Sequence, residues 1–286
     1  MASLRQIKRR MKSVENIHEI TKAMEMIAAF RFKKAEGRWR NAKPNLLEME
    51  RLVGNLSTSS PDLTHPLFKK REVKTKAIVV VTGDKGLCGA YNANLLRAAN
   101  LWLKGNGSFK TFIIAVGKVG YDFFRKKQVF LLAFYPEKAM VDLVLAQKIT
   151  ADLKRFFLSQ KVDSLELLYT SYRGGGTGQN HLSPFLGLDY LLENNKHQKV
   201  NQDYIYEPDF DHVFNSLLSR YLEEKVYLCL LESLTSEYSA RMIAMKQATE
   251  NGEEVLDSLT LLRNKTRQAT ITRELSEIVG GANILV

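Results

Sequence analysis

The chain has 286 residues, 45% of them hydrophobic and 26% charged, with a formal net charge of +11. That length supports one or two cored domains, and the longest apolar runs, such as residues 77–81, fall far short of the ~20 residues that span a bilayer, so a soluble chain is expected. The positive excess points to an acidic partner, a nucleic acid or an anionic surface. It is unevenly spread: residues 1–40 carry 11 Lys/Arg against 4 Asp/Glu, whereas residues 209–286 carry 8 against 12.

The first segment opens on a capping-box pattern, Ser3 with Gln6 three residues on. Apolar residues follow at Leu4, Ile7, Met11, Val14, Ile17, Ile20, Met24 and Ile27, a narrow helical stripe of the kind that seats against another helix. Ala23, Ala28 and Ala29 would let that partner approach closely. After Pro44 the helix is expected to resume, with Leu46, Leu47, Met49, Leu52, Val53 and Leu56 keeping the spacing. The N-terminus lacks the apolar core of a signal peptide, and Glu15, Glu19 and Glu25 argue against a transit peptide.

An α/β pattern follows. Residues 76–81 (KAIVVV) read as a buried strand, then a glycine loop, then a helix from about Asn92 to Lys104. Residues 111–116 (TFIIAV) read as a second strand, with a helix around Tyr121. A long helix is expected over 141–160 and a third strand over 164–172. Strands alternating with helices imply a mostly parallel, Rossmann-like sheet. Residues 174–176 and 194–202 read as polar loops.

From Asp209 to the end there is no proline, and Gly252 is the only glycine before Gly280. Proline costs roughly 3 kcal/mol inside a helix, so one uninterrupted helix is permitted, ~110 Å long at about 1.5 Å per residue. Asp209 and Asp211 suit its first turn. Val213, Phe214, Leu217, Leu218, Tyr221, Leu228, Leu231 and Leu234 form a broad stripe. The stripe thins to Tyr238, Met242 and Met245, revives at Leu256, Leu259, Leu262, Ile271, Leu275 and Ile278, and ends at Gly280-Gly281. So long a helix cannot pack along its whole length on a shorter one, and part of it must project. The expected fold class is therefore α/β plus a long antiparallel coiled coil. The expected parts are an N-terminal helix over 1–56, a central Rossmann-like α/β domain over 75–195 and a C-terminal helix over 209–286.

The loop Gly83-Asp84-Lys85-Gly86-Leu87-Cys88-Gly89, after a strand and before a helix, stands where glycine loops cradle phosphates. Its details fail. A P-loop needs Lys then Ser/Thr after its last glycine, and here Gly89 precedes Ala90-Tyr91. The dinucleotide fingerprint spaces its first glycines by one residue, and two residues separate Gly83 from Gly86. A tight turn is the plainer reading. Cys88 has no histidine near it in sequence to serve as a base, and with Cys229 it reads as an inert thiol of a reduced compartment. The five histidines (His18, His65, His181, His197, His212) show no metal spacing. Arg173 with Gly174–Gly176 reads as a flexible turn. No independent catalytic centre, metal or cofactor is expected. The cluster Lys8-Arg9-Arg10-Lys12 reads as a solvated helix face, a phosphate grip or, better, basic side chains opposed by acidic residues of a surrounding protein. Interleaved aromatics for base stacking are sparse, against nucleic acid.

The two ends resemble one family. Residues 20–29 (ITKAMEMIAA) are similar to the N-terminal signature of the gamma subunit of F-type (proton-translocating) ATP synthases. Residues 240–249 (ARMIAMKQAT) and 264–272 (NKTRQATIT), with Glu274-Leu275, are similar to its C-terminal counterpart, and Gly86-Leu87-Cys88-Gly89 is typical of its central loop. The resemblance covers the chain end to end. It implies that the coiled coil is a central rotor stalk inside a ring of three alpha and three beta subunits, with the α/β domain near the epsilon subunit and the ring of c subunits. It implies a non-catalytic chain whose asymmetry gives each beta subunit a different nucleotide affinity, coupling proton flow to ATP synthesis or hydrolysis. By motif position Lys22 and Met24 would lie near a beta-subunit lever, and Arg267, Gln268 and Thr272 would form polar catch contacts. Ile284, Leu285 and Val286 would sit in an apolar bearing. The resemblance and the absent transit peptide imply a peripheral location, through the complex, on the cytoplasmic side of a bacterial plasma (inner) membrane. Chloroplast members carry an inserted thiol pair that this sequence lacks, so no redox switch is implied. Gly83 departs from the small polar residue usual before the aspartate. A nucleic-acid or anion-binding coiled-coil protein is the competing reading. A phosphate-loop enzyme, a third, would lose nucleotide binding on Lys85→Ala.

Overall fold

A computed structural model of the chain describes residues 3–59, 65–69, 71–136, 141–174, 178–188 and 206–282. In chain order these form α1 (Leu4–Ser59), β1 (Thr75–Val81), α2 (Tyr91–Gly105), β2 (Lys110–Val116), α3 (Lys118–Lys126), β3 (Leu131–Tyr135), α4 (Leu143–Leu158), β4 (Ser164–Ser171), β5 (Gln179–Leu186) and α5 (Phe210–Ala282). The chain divides into two compact units, Phe30–Ala240 and Met1–Ala29 with Arg241–Val286. The divisions fall inside α1 and α5.

In the unit Phe30–Ala240 the strands form one sheet in the order β3-β2-β1-β4-β5. Every pairing is parallel except β4 with β5, with β1 registered on β2 from Thr75↔Lys110 to Val81↔Val116. Alternate residues of a strand face opposite sides. Ala77, Val79 and Val81 join one core with Ile114, Val116, Leu167 and the buried face of α4; Ile78, Val80 and Ile113 join another with α2 and α3. Both faces of β1 are covered, hence its unbroken apolar run. The mostly parallel, Rossmann-like sheet of the sequence reading is present, with two strands beyond it. Short β3 and the polar, Pro184-containing β5 lie at the two edges, where a pleated surface is only half covered.

α1 does not break at Pro44; one helix of 56 residues runs through it. Pro44 is exposed, so the carbonyl it leaves without an amide partner can meet water, while Trp39, Ala42, Leu46 and Met49 on either side pack on the core. α1 and α5 are antiparallel here, since Glu50 pairs with Tyr221, Trp39 with Glu232 and Arg31 with Tyr238.

In the other unit the same direction holds: Ile7 and Met11 pack on Leu259, Gly252 approaches His18, and Thr249 meets Thr21. The start of α1 is fixed as expected, with Gln6 N–H donating to Ser3 Oγ at 3.3 Å and Ser3 N–H donating to Gln6 Oε1 at 3.0 Å. The stripe departs from expectation after Val14. Ile17, Ile20 and Ile27 are 53%, 58% and 54% exposed, while His18, Thr21 and Ala28 face inward. The seam alternates strictly in threes and fours, a seven-residue repeat, whereas the apolar residues step 3 and 3 from Val14 to Ile20 and drift onto the next face. At its far end α5 continues past Leu259 to Ala282, with Ile271, Leu275, Ile278 and Val279 exposed. The loop 194–202 and the tip residues Ile284, Leu285 and Val286 lie outside the described residues.

Candidate functional site

The glycine loop leaves the carboxyl end of β1. There the neighbouring strands lie to either side and the helices pass to opposite faces, the position where open α/β sheets bind ligands. Its groups are committed inside the fold. Asp84 Oδ1 accepts the Lys118 N–H at 2.7 Å, at the head of α3. Gly83 N–H donates to Asn92 Oδ1 at 3.0 Å, and Asn92 Nδ2 donates to Lys85 O at 3.3 Å and to the buried Cys88 Sγ at 3.2 Å. The crevice itself is filled by α5. A Cβ built on Gly83 would stand 2.8 Å from both Cδ and Oε2 of the Glu237 side chain.

α5 is buried all round over residues 228–239, although six of those residues are polar: Glu232, Ser233, Thr235, Ser236, Glu237 and Ser239. A polar group inside costs free energy unless it is partnered, and of these side chains the Ser233 hydroxyl finds no hydrogen-bond partner among the described residues. Trp39 Nε1 donates to Glu232 Oε1 at 3.0 Å, Ser236 Oγ to Thr170 O at 3.2 Å, and Thr235 Oγ1 to Leu231 O at 2.7 Å. Tyr91 OH donates to Ser233 O at 3.2 Å, tying α5 to the head of α2. Burial pushes the Glu232 carboxyl above its ordinary range, opposed by the Trp39 bond and the nearby Lys43. Burial likewise pushes the Cys229 thiol up, so it is no nucleophile.

Between α1 and this part of α5 an open cleft of about 230 Å³ is lined by Phe30, Arg31, Lys34, Ala35, Arg38, Leu234 and Tyr238. Arg38 is held by Tyr227 OH at 2.9 Å and by the Val141 carbonyl. Arg31 lies over the Tyr238 ring at 5.8 Å. The cleft therefore presents cationic heads on an aromatic floor, suited to carboxylates.

In the helical pair, Lys22 is exposed and Met24 half-buried, and Lys8, Arg9, Arg10 and Lys12 are all exposed. Arg267, Gln268 and Thr272 are exposed on α5, where Thr272 Oγ1 donates to Gln268 O at 2.9 Å. The two groups occupy different stretches of the pair: Thr21, beside Lys22, bonds Thr249, not the 267–272 turn.

The family whose model matches this chain is described as ATP synthase, and the match runs over residues 3–285. The ATP synthase gamma chain of Moorella thermoacetica is 38% identical over 286 residues, 100% of each chain. That of Cupriavidus necator is 40% identical, covering 99% of each. The chain belongs to the ATP synthase gamma chain family. A chain in the Euglena gracilis mitochondrial ATP synthase, rotational state 3, superposes with a TM-score of 0.71 over 99% of this chain and 94% of that one, at 19% identity. A chain of the Tetrahymena thermophila mitochondrial ATP synthase central stalk and c-ring gives 0.61 over 80% and 99%, at 23% identity. These two likenesses show the fold: a mixed sheet with two long helices. Within the gamma chain family frame, sequence reasoning located the terminal motifs and the loop but missed Glu232, Glu237 and the basic cleft. A signal for Glu237 was present, since the apolar stripe thins after Leu234, whereas Glu232 lies inside the broad stripe between Leu231 and Leu234.

Proposed function

We propose that this chain is the central rotor stalk subunit of an F-type ATP synthase, coupling proton flow through a membrane sector to ATP synthesis or hydrolysis on a ring of three alpha and three beta subunits. Full-length membership of the gamma chain family carries the reading. The exposed apolar residues of the helical pair support it: Ile17, Ile20 and Ile27 on α1 and Ile271, Leu275 and Ile278 on α5 are about half or more exposed, and a surrounding ring would cover them. An asymmetric pair offers each beta subunit a different face, so each takes a different nucleotide affinity.

The chain is read as non-catalytic within the enzyme complex, a reading supported by the occupation of its ligand crevice by Glu237. Lys22 and Met24 are assigned to a beta-subunit lever, Arg267, Gln268 and Thr272 to the catch contacts, and Ile284, Leu285 and Val286 to the apolar bearing. The cleft at Arg31, Lys34 and Arg38 suits acidic side chains of the same surrounding subunits. The α/β unit is assigned to the epsilon subunit and c-ring. No described helix is long and apolar enough to cross a membrane. Association with the cytoplasmic face of a bacterial plasma membrane is therefore assigned to the complex.

A tagged copy, recovered from detergent-solubilised membranes at moderate salt, tests this. One copy with three each of two larger nucleotide-binding subunits, plus ATPase activity, is the expected result. Recovery alone or with nucleic acid overturns it.

A further inference from the structure

We propose that Glu237 serves as a resident anion: its carboxylate fills, from within the chain, the oxyanion cradle of the doubly wound sheet and so locks α5 into the α/β unit. Three observations carry this. The loop after β1 lies at the carboxyl end of the sheet beside the head of α2, the site where such sheets bind phosphate groups. No side chain caps α2, whose flanking residue is Ala90; the Tyr91 N–H turns back to Cys88 O at 3.3 Å, and no acidic residue of α2's own first turn meets the positive field of that helix end. Into this place α5 brings a carboxylate that is only 4% exposed, and Gly83 alone lets it approach, because a Cβ there would stand 2.8 Å from Oε2 and 3.0 Å from Oε1. One turn earlier α5 is anchored to the same helix head by the Tyr91–Ser233 bond. Glu237 is thus a positioning residue. The glycine loop, which fails every nucleotide fingerprint in sequence, thus receives its anion from within the chain.

The consequence is chemical: with the carboxylate removed, the cradle becomes a site for a free oxyanion. The test uses the full chain, with thermal unfolding in phosphate, in sulfate and in chloride at matched ionic strength. Glu237→Ala is expected to lower the midpoint by roughly 5 °C or more in chloride and to regain at least half of that in phosphate or sulfate, along a saturating curve that wild type lacks. Glu237→Gln, equal in shape but uncharged, is expected to lower the midpoint without any phosphate response, since the cradle stays filled. If Glu237→Ala follows the same anion dependence as wild type, the carboxylate is not standing in for an oxyanion and the proposal falls. Should Glu237→Ala fail to fold in chloride, Glu237→Gln decides: a midpoint equal to wild type overturns the proposal, and a lowered one supports it.

Discussion

Glu232 is a carboxylate that the fold tolerates at a cost. It is 7% exposed, and burial outweighs the opposing influences of the Trp39 hydrogen bond, Lys43, the Tyr172 backbone and Arg173, so its pKa is raised. A raised folded pKa means that the folded chain holds this proton more tightly than the unfolded one. The resulting stability is fully present below the ordinary carboxylate pKa and is lost as pH rises through the raised value. Glu232→Gln keeps an acceptor for Trp39 Nε1 and cannot ionise. The expected outcome is little change from wild type at about pH 4 and a higher unfolding midpoint than wild type at about pH 8. Denaturant melts across that range check it, and a variant less stable than wild type at the upper end would show that the charge is used by Lys43 and Arg173.

At the scale of elements, the clear strands were those whose chemistry is local. β1, β2 and β4 are apolar runs covered on both faces or nearly so, and a run such as residues 77–81 announces itself. β3 and β5 are edge strands whose pairing depends on β2 and β4 being in place, and β5 buries only its last two residues. The helix stripe misled for a different reason: apolar residues on α1 serve two faces, and only packing separates the seam from the outer one. Where the seam crosses His18, Thr21, Thr249 and Gly252 it is polar and small, held by the 3.0 Å Thr249–Thr21 hydrogen bond. A Cβ on Gly252 would meet His18 at 3.6 Å, an ordinary contact. Gly252→Ala is therefore expected to stabilise the helical unit by about 1 kcal/mol, through helix propensity and a reduced unfolded-state entropy. A higher midpoint in thermal unfolding by circular dichroism is the check; a lower one would mean that His18 has no room to give.

For the whole molecule, the uneven charge, the proline-free end and the terminal motifs made the architecture readable. The filled crevice was not, because it takes residue 237 folding back on residue 83. The end of α5 gives the sharpest whole-molecule test. Ile278 and Val279 are exposed, so the described side chains lost in a deletion of residues 278–286 are surface ones, whose removal leaves no cavity. The unit Phe30–Ala240, with its own sheet and two cores, should keep its unfolding transition. If that end is seated in a sleeve formed by other subunits, the same deletion should weaken assembly or torque in the complex. The paired measurement is a thermal melt of the truncated chain and ATPase-driven proton pumping by complexes built with it. An intact melt with weakened pumping or assembly is expected. Complete unfolding of the truncated chain would place the role of this end inside the chain's own fold, and unchanged pumping would leave it no bearing to sit in.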